Sequence, residues 1–219
     1  AALSGVDTVI NCATVRGREA QAAATLLTAA ERAGVRHFVH VSIVGIEKVP
    51  LGYYREKLAV EALVAGARLP TTTVRATQFH ELVDSLFTRL ARARVLPVPA
   101  RTSLQPVAAD DLAAHLVALA EGDPAGRVPD FGGPQVLRVV ELARTWRGAH
   151  LRPPVVSVRF PGRIAAAVRA GGLLCPDRAV GTTTFAEHLE RRGAALRIEI
   201  FPTDLDATAA FYADVLGFR

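Results

Sequence analysis

Ser42, Tyr53 and Lys57 are residue types that move protons, and they fall within one short stretch, SIVGIEKVPLGYYREK, residues 42–57. Tyr53 and Lys57 are four apart, so on a helix they leave the same face about one turn from each other. An ammonium beside a phenol favours the ionised phenol, which makes it a better proton donor or acceptor near neutral pH. Ser42 closes the apolar run HFVHVS and sits at the end of a strand, from which its hydroxyl could bond the same substrate oxygen. The spacing alone also suits a solvated lysine beside a half-buried tyrosine. The order strand, serine, glycine-containing loop, helix is what favours chemistry.

The surrounding elements follow from hydrophobic period and punctuation. Residues 6–13 (VDTVINCA) are mostly apolar and β-branched, as in a strand buried on both faces of a parallel sheet. Residues 19–33 are rich in alanine and leucine and read as a helix closed by Gly34. Strand 36–42, helix 53–67 and strand 71–77 continue the alternation, which predicts strand–helix–strand units and a doubly wound parallel α/β sheet. Beyond it, helices are expected at 80–93, 110–122 and 140–147, with short extended pieces at 95–99 and 127–131. Residues 155–160 and 161–170 read as a small α+β cap.

Composition narrows the class. The chain has 219 residues, half of them hydrophobic and 21% charged, enough to bury a core. The net charge is +5, but arginine is scattered along helices rather than interleaved with aromatics, which argues against nucleic acid as a partner. Cys12 and Cys175 fit no ligand spacing and are too few for a disulfide framework, so a reducing cytoplasm is expected. No apolar run approaches the length of a membrane span, and no signal peptide is read at the start. Of the six histidines, His40 reads as a buried strand residue, and His80 is the one near the inferred site. Methionine is absent, even at position 1, which suggests a chain that has lost its beginning.

Ser42 with Tyr53-x-x-x-Lys57 resembles the active-site signature of short-chain dehydrogenase/reductase proteins. The chain is most similar to their atypical, NmrA-like, NAD(P)H-binding branch. That resemblance also rests on NCAT at 11–14, VRHFVHVSIVG at 35–45, YYREKLAVE at 53–61, VRATQFHE at 74–81 and LQPVAADDLA at 104–113. It spans residues 1–190 and implies a Rossmann-type domain whose cap closes over a substrate. It departs from the usual pattern in its Ser-to-Tyr gap of eleven, which is slightly short. By resemblance, Asn11, Ala13 and Thr14 lie beside the adenosine ribose and pyrophosphate. Tyr53 and Lys57 hold the nicotinamide ribose, and Thr77, Gln78 and Phe79 border the nicotinamide ring.

The implied activity is NAD- or NADP-dependent oxidation or reduction of a small carbonyl-like substrate. Tyr53 would supply the proton, Lys57 would lower its pKa, and Ser42 would orient the oxygen. The alternatives are a non-catalytic NAD(P)H sensor or scaffold, and a partner domain for the tail. A glycine-rich phosphate turn, G-x-G-x-x-G or its relative, does not occur in these residues. The expectation is therefore weak cofactor affinity and an inactive fragment lacking the first strands, with an exposed sheet edge inviting self-association. A linker is expected at 191–195. Residues 196–219 resemble the opening strand and helix of the glyoxalase, or vicinal-oxygen-chelate, superfamily, with Arg197 where metal-using members carry a histidine.

Overall fold

The computed structural model describes residues 3–15, 17–150 and 153–193. Four strands form the central sheet: β1 (Thr8–Asn11), β2 (His37–Ile43), β3 (Thr71–Ala76) and β6 (Gly126–Arg127), in the order β1-β2-β3-β6 and all parallel. Between them run helices α1 (Glu19–Ala33), α2 (Gly52–Ala65), α3 (His80–Leu90) and α4 (Ala109–Glu121). The doubly wound α/β reading holds.

Strand parity sorts the core into layers. Phe38 of β2 packs with Ala23, Leu27 and Ala30 of α1 and with Val60 and Val64 of α2. Its neighbour Val39 faces the other way, onto Val74, Leu112 and Leu116 beneath α4. Both residues are fully buried, as expected where helices cover both faces of a parallel sheet. Helix α1 ends as its sequence requires, because Gly34 takes φ 72° and its N–H closes onto the carbonyls of Ala30 and Glu31.

The first strand departs from expectation. Residues 6–13 read as buried on both faces, yet β1 covers Thr8–Asn11, pairs among the described residues with β2 alone, and leaves Ile10 39% exposed. Likewise, of the expected strand 127–131, Arg127 alone falls within β6 (Gly126–Arg127), which lies opposite Thr72 and Thr73, with a further bridge from Ala76 to Phe131.

A second body is built from β4 (Leu96–Pro99), β5 (Ser103–Leu104), β7 (Leu137–Arg138), α5 (Val139–His150), β8 (Val155–Val158), α6 (Arg163–Arg169) and α7 (Phe185–Gly193). Strands β4 and β8 pair in parallel, and β5 with β7 antiparallel. Phe87 of α3, Leu96, Val98, Leu142, Trp146, Phe185 and Leu189 make its core. Asp84, buried on α3, accepts a 2.7 Å hydrogen bond from Trp146 Nε1 and pairs with Arg192 of α7. Residues 191–193, expected to begin a linker, are therefore the last turn of α7. The glyoxalase-like unit expected at 196–219 lies outside the described residues.

The cap docks through glycine. Gly45, just after β2, has φ 79°, and a Cβ placed there would lie 1.7 Å from the Gly172 carbonyl oxygen. Only a residue without a side chain permits both that backbone and that approach. Around the contact, Ile46, Val49, Tyr54 and Leu173 are buried together, with Tyr53, Ala167 and Val168 packed against them.

Candidate functional site

Ligands of open parallel sheets sit in the crevice beyond the carboxyl ends of the strands. Here that edge is marked by Asn11, Ile43 and Ala76, the last residues of β1, β2 and β3. From Asn11 the chain crosses an exposed shelf, Cys12, Ala13, Thr14 and Val15. Asn11 itself is buried: its Oδ1 accepts from the Ala13 N–H at 3.2 Å, and its Nδ2 donates to His40 Nδ1 at 3.3 Å. An accepting Nδ1 puts the proton of the neutral ring on Nε2. Burial, reinforced by the Lys57 ammonium, pushes the His40 pKa down to about 4.

The shelf is tied from behind by a carboxylate. Glu19, in the first turn of α1, accepts from the Val15 N–H at 3.1 Å through Oε1 and from Lys57 Nζ at 3.0 Å through Oε2. The same ammonium reaches Thr14 Oγ1 at 3.4 Å. The Lys57 and Glu19 side chains are only 5% and 4% exposed, so each charge depends on the other for compensation. Nothing near Glu19 in sequence announces this role; the only local signal is an acidic residue opening a helix right after a strand end.

Lys57 Nζ lies 5.5 Å from the centroid of the Tyr53 ring, so the two do share a face. The ammonium's hydrogen bonds nevertheless go to Glu19 and Thr14. Ser42 does not join them. It follows Phe38 and His40 on the face of β2 that α2 covers, is 3% exposed, and among the described residues its Oγ makes no hydrogen bond of ordinary geometry, standing instead beside the Glu61 carboxyl. Its nearest ionisable neighbour of consequence is Glu61, two turns along α2 from Tyr53, about 12 Å at the usual rise. Burial pushes the Glu61 carboxyl up, but the Arg75 guanidinium, aided by the Ser42 hydroxyl beside it, outweighs this and holds it below the usual range. Arg75 grips Glu61 with two 2.8 Å bonds and Glu47 with a third at 2.7 Å. Strand parity thus places the Ser42 side chain under α2, on the face that also carries Phe38 and His40.

The residues expected to border a nicotinamide ring are engaged with the cap. Thr77 Oγ1 accepts from the Gly133 N–H at 3.1 Å, and Gln78 Nε2 donates to the Leu173 carbonyl at 3.2 Å. Phe79 bridges to Val107 and packs on the core beneath α4. His80 is fully buried, with Nε2 2.9 Å from the Thr183 carbonyl, well inside the α3–α7 contact.

The shelf suits a nucleotide along one side. Ala13 and Thr14 present small side chains, and the one carboxylate behind them is neutralised by Lys57, so an approaching diphosphate meets no net negative charge. The hollow behind the shelf, lined by Asn11, Ala13, Glu19 and His40 among others, measures about 40 Å³. That is room for a single water, so a dinucleotide would lie across the strand ends rather than within this hollow.

The chain matches the model of the NAD(P)H-binding family over residues 1–122 and belongs to that family. Its cofactor class is accordingly NAD or NADP. No curated protein matches the chain. Among solved structures it is similar to the NADPH-dependent quinone oxidoreductase QOR2 of Escherichia coli in complex with NADPH, at 19% identity and TM-score 0.74, over 87% of this chain and 78% of that one. It is also similar to a nucleoside-diphosphate-sugar epimerase of Staphylococcus aureus, at 17% identity and TM-score 0.69, over 86% and 78%. The triphenylmethane reductase of Citrobacter sp., complexed with NADP(H), aligns at 16% identity and TM-score 0.60, over 95% and 78%. At these identities the likeness establishes the fold.

Proposed function

We propose that the protein is an NAD(P)H-dependent oxidoreductase acting on acceptors of the quinone type, for which no buried Ser–Tyr–Lys relay is required. The carrying observation is the pairing of Lys57 with Glu19 behind the strand-end shelf. It makes Lys57 a support for Thr14 and Val15, which hold the nucleotide with Asn11 and Ala13. When bound, the reduced nicotinamide supplies a hydride.

An aliphatic ketone accepting that hydride would develop a strongly basic alkoxide and need an acid at its oxygen. A quinone develops a phenolate-like oxygen, whose conjugate acid has a pKa of about 10, and water can protonate it. The chain's own residues fit the second case. Ser42 is turned away, and the ammonium beside Tyr53 is held by a carboxylate. Tyr53 then serves as part of the wall at the junction with the cap, beside Tyr54 and Leu173. Two of the similar structures are described as a quinone oxidoreductase and a triphenylmethane reductase.

The test follows NADPH oxidation against a panel of quinones and aliphatic ketones with the purified protein. Turnover of quinones but not ketones is the expected pattern. Ketone turnover abolished by Tyr53→Phe would restore the relay and overturn this reading. The buried Lys57–Glu19 pair equally suits a non-catalytic NAD(P)H sensor, for which the same experiment gives saturable NADPH binding with no acceptor reduced.

A further inference from the structure

The β2–α2 loop and the start of α6 border an open, shallow cleft of about 390 Å³, lined by Pro50, Pro161, Gly162, Arg163 and Ile164. Its size lies within the range of small-molecule sites. Its walls are fixed to each other. The Gly45–Gly172 approach and the buried cluster of Ile46, Val49 and Leu173 pin the loop to the cap, and Ala167 and Val168 of α6 pack on the same cluster. The opposite rim is held by a 2.8 Å hydrogen bond from Arg169 Nη1 to the Phe160 carbonyl. The cleft therefore exists before a ligand arrives. Pro50 lies between Val49 and Leu51, which share one apolar cluster with Tyr53 at the start of α2.

The lining is apolar except for one charge. Ile164 and the nearby Phe160 are each 43% exposed, so both present apolar surface to an incoming ligand. Arg163 is exposed and makes no hydrogen bond or ion pair among the described residues. A flat, apolar surface with a single unpaired guanidinium at its edge matches a ring system carrying one anionic substituent, since guanidinium pairs bidentately with carboxylate or sulfonate and stacks on π faces.

We infer that this cleft is the acceptor site and that Arg163 selects aromatic acceptors bearing a carboxylate or sulfonate. The inference rests on the reading of the protein as a reductase of conjugated acceptors, but the cleft can be examined without turnover. Equilibrium binding of anthraquinone sulfonate and of neutral hydroxymethyl anthraquinone is measured by calorimetry on the full chain, without cofactor. The sulfonate should bind about threefold to fivefold more tightly, a preference that exposed single pairs supply and that salt weakens. Arg163→Ala should erase that preference, Arg163→Lys should keep part of it, and Arg163→Glu should reverse it. Ile164→Trp, which fills the cleft, should weaken both ligands at least tenfold while circular dichroism and melting temperature stay unchanged.

Equal binding of the two anthraquinones to the unmodified protein, or insensitivity of both to Ile164→Trp, overturns the assignment. Binding that follows the expected pattern in a protein that reduces no acceptor would leave the cleft in place and remove the reductase reading. Quinone turnover without sulfonate preference would do the reverse.

Discussion

Lys57 Nζ and Glu19 Oε2 lie 3.0 Å apart, with both side chains buried, and this ion pair joins α2 to the loop that leaves β1. Removing one partner leaves the other charge buried without compensation, which costs about 3–5 kcal/mol. Lys57→Met and Glu19→Gln should each lower stability by that order. The double substitution Lys57→Met with Glu19→Gln should recover most of the loss. Urea unfolding of the four proteins gives the coupling directly. Independent, additive losses would show that the pair does not act as a unit.

How much of this was legible beforehand depends on the range of the cause. Helix α1 follows its sequence from Glu19 to Ala33, because alanine–leucine periodicity and Gly34 are local signals. The Tyr53–Lys57 face is equally local. The partner of Lys57 is not, since Glu19 lies 38 positions away and the link exists only once two helices pack. Ser42 was legible in principle: His40 was read as buried, and a residue two further on the same strand must share its face. The edge position of β1 could not be read from VDTVINCA, because an apolar β-branched run describes a strand and not its neighbours. A linker is expected from residue 191, yet α7 runs to Gly193, with the Arg192–Asp84 pair and Leu189 in the core along it.

His40 makes stability depend on pH in a defined direction. Its ordinary pKa of 6.5 falls to about 4 in the folded chain, so between those values the unfolded state binds a proton that the native state refuses. Stability from this residue is intact above pH 6.5 and declines as pH falls toward 4, by about 3 kcal/mol at most. Buried His80 is lowered by its burial too and adds a loss of the same sign. Unfolding free energies at neutral pH and near pH 4.5 should differ less in His40→Gln than in the unmodified protein, by about 2 kcal/mol. An undiminished difference would assign the acid sensitivity elsewhere.

Two glycines with the same backbone geometry separate strain from contact. Gly34 and Gly45 have φ of 72° and 79°, but a Cβ at Gly34 meets open space whereas one at Gly45 strikes the Gly172 carbonyl. Gly34→Ala should cost about 1–2 kcal/mol, the penalty of a left-handed residue alone. Gly45→Ala should cost clearly more and loosen the cap, seen as faster amide exchange around Leu173. Equal melting temperatures for the two variants would mean that the cap docks less closely than the contact implies.

The most direct measurement is the rate of NADPH-dependent quinone reduction by Ser42→Ala. With Ser42 Oγ buried under α2 beside the Glu61 carboxyl, its removal should leave the rate within about twofold and lower stability by no more than about 1 kcal/mol. A loss of about a hundredfold or more, the scale of a lost proton-transfer partner, would return Ser42 to the reacting atoms and contradict the account.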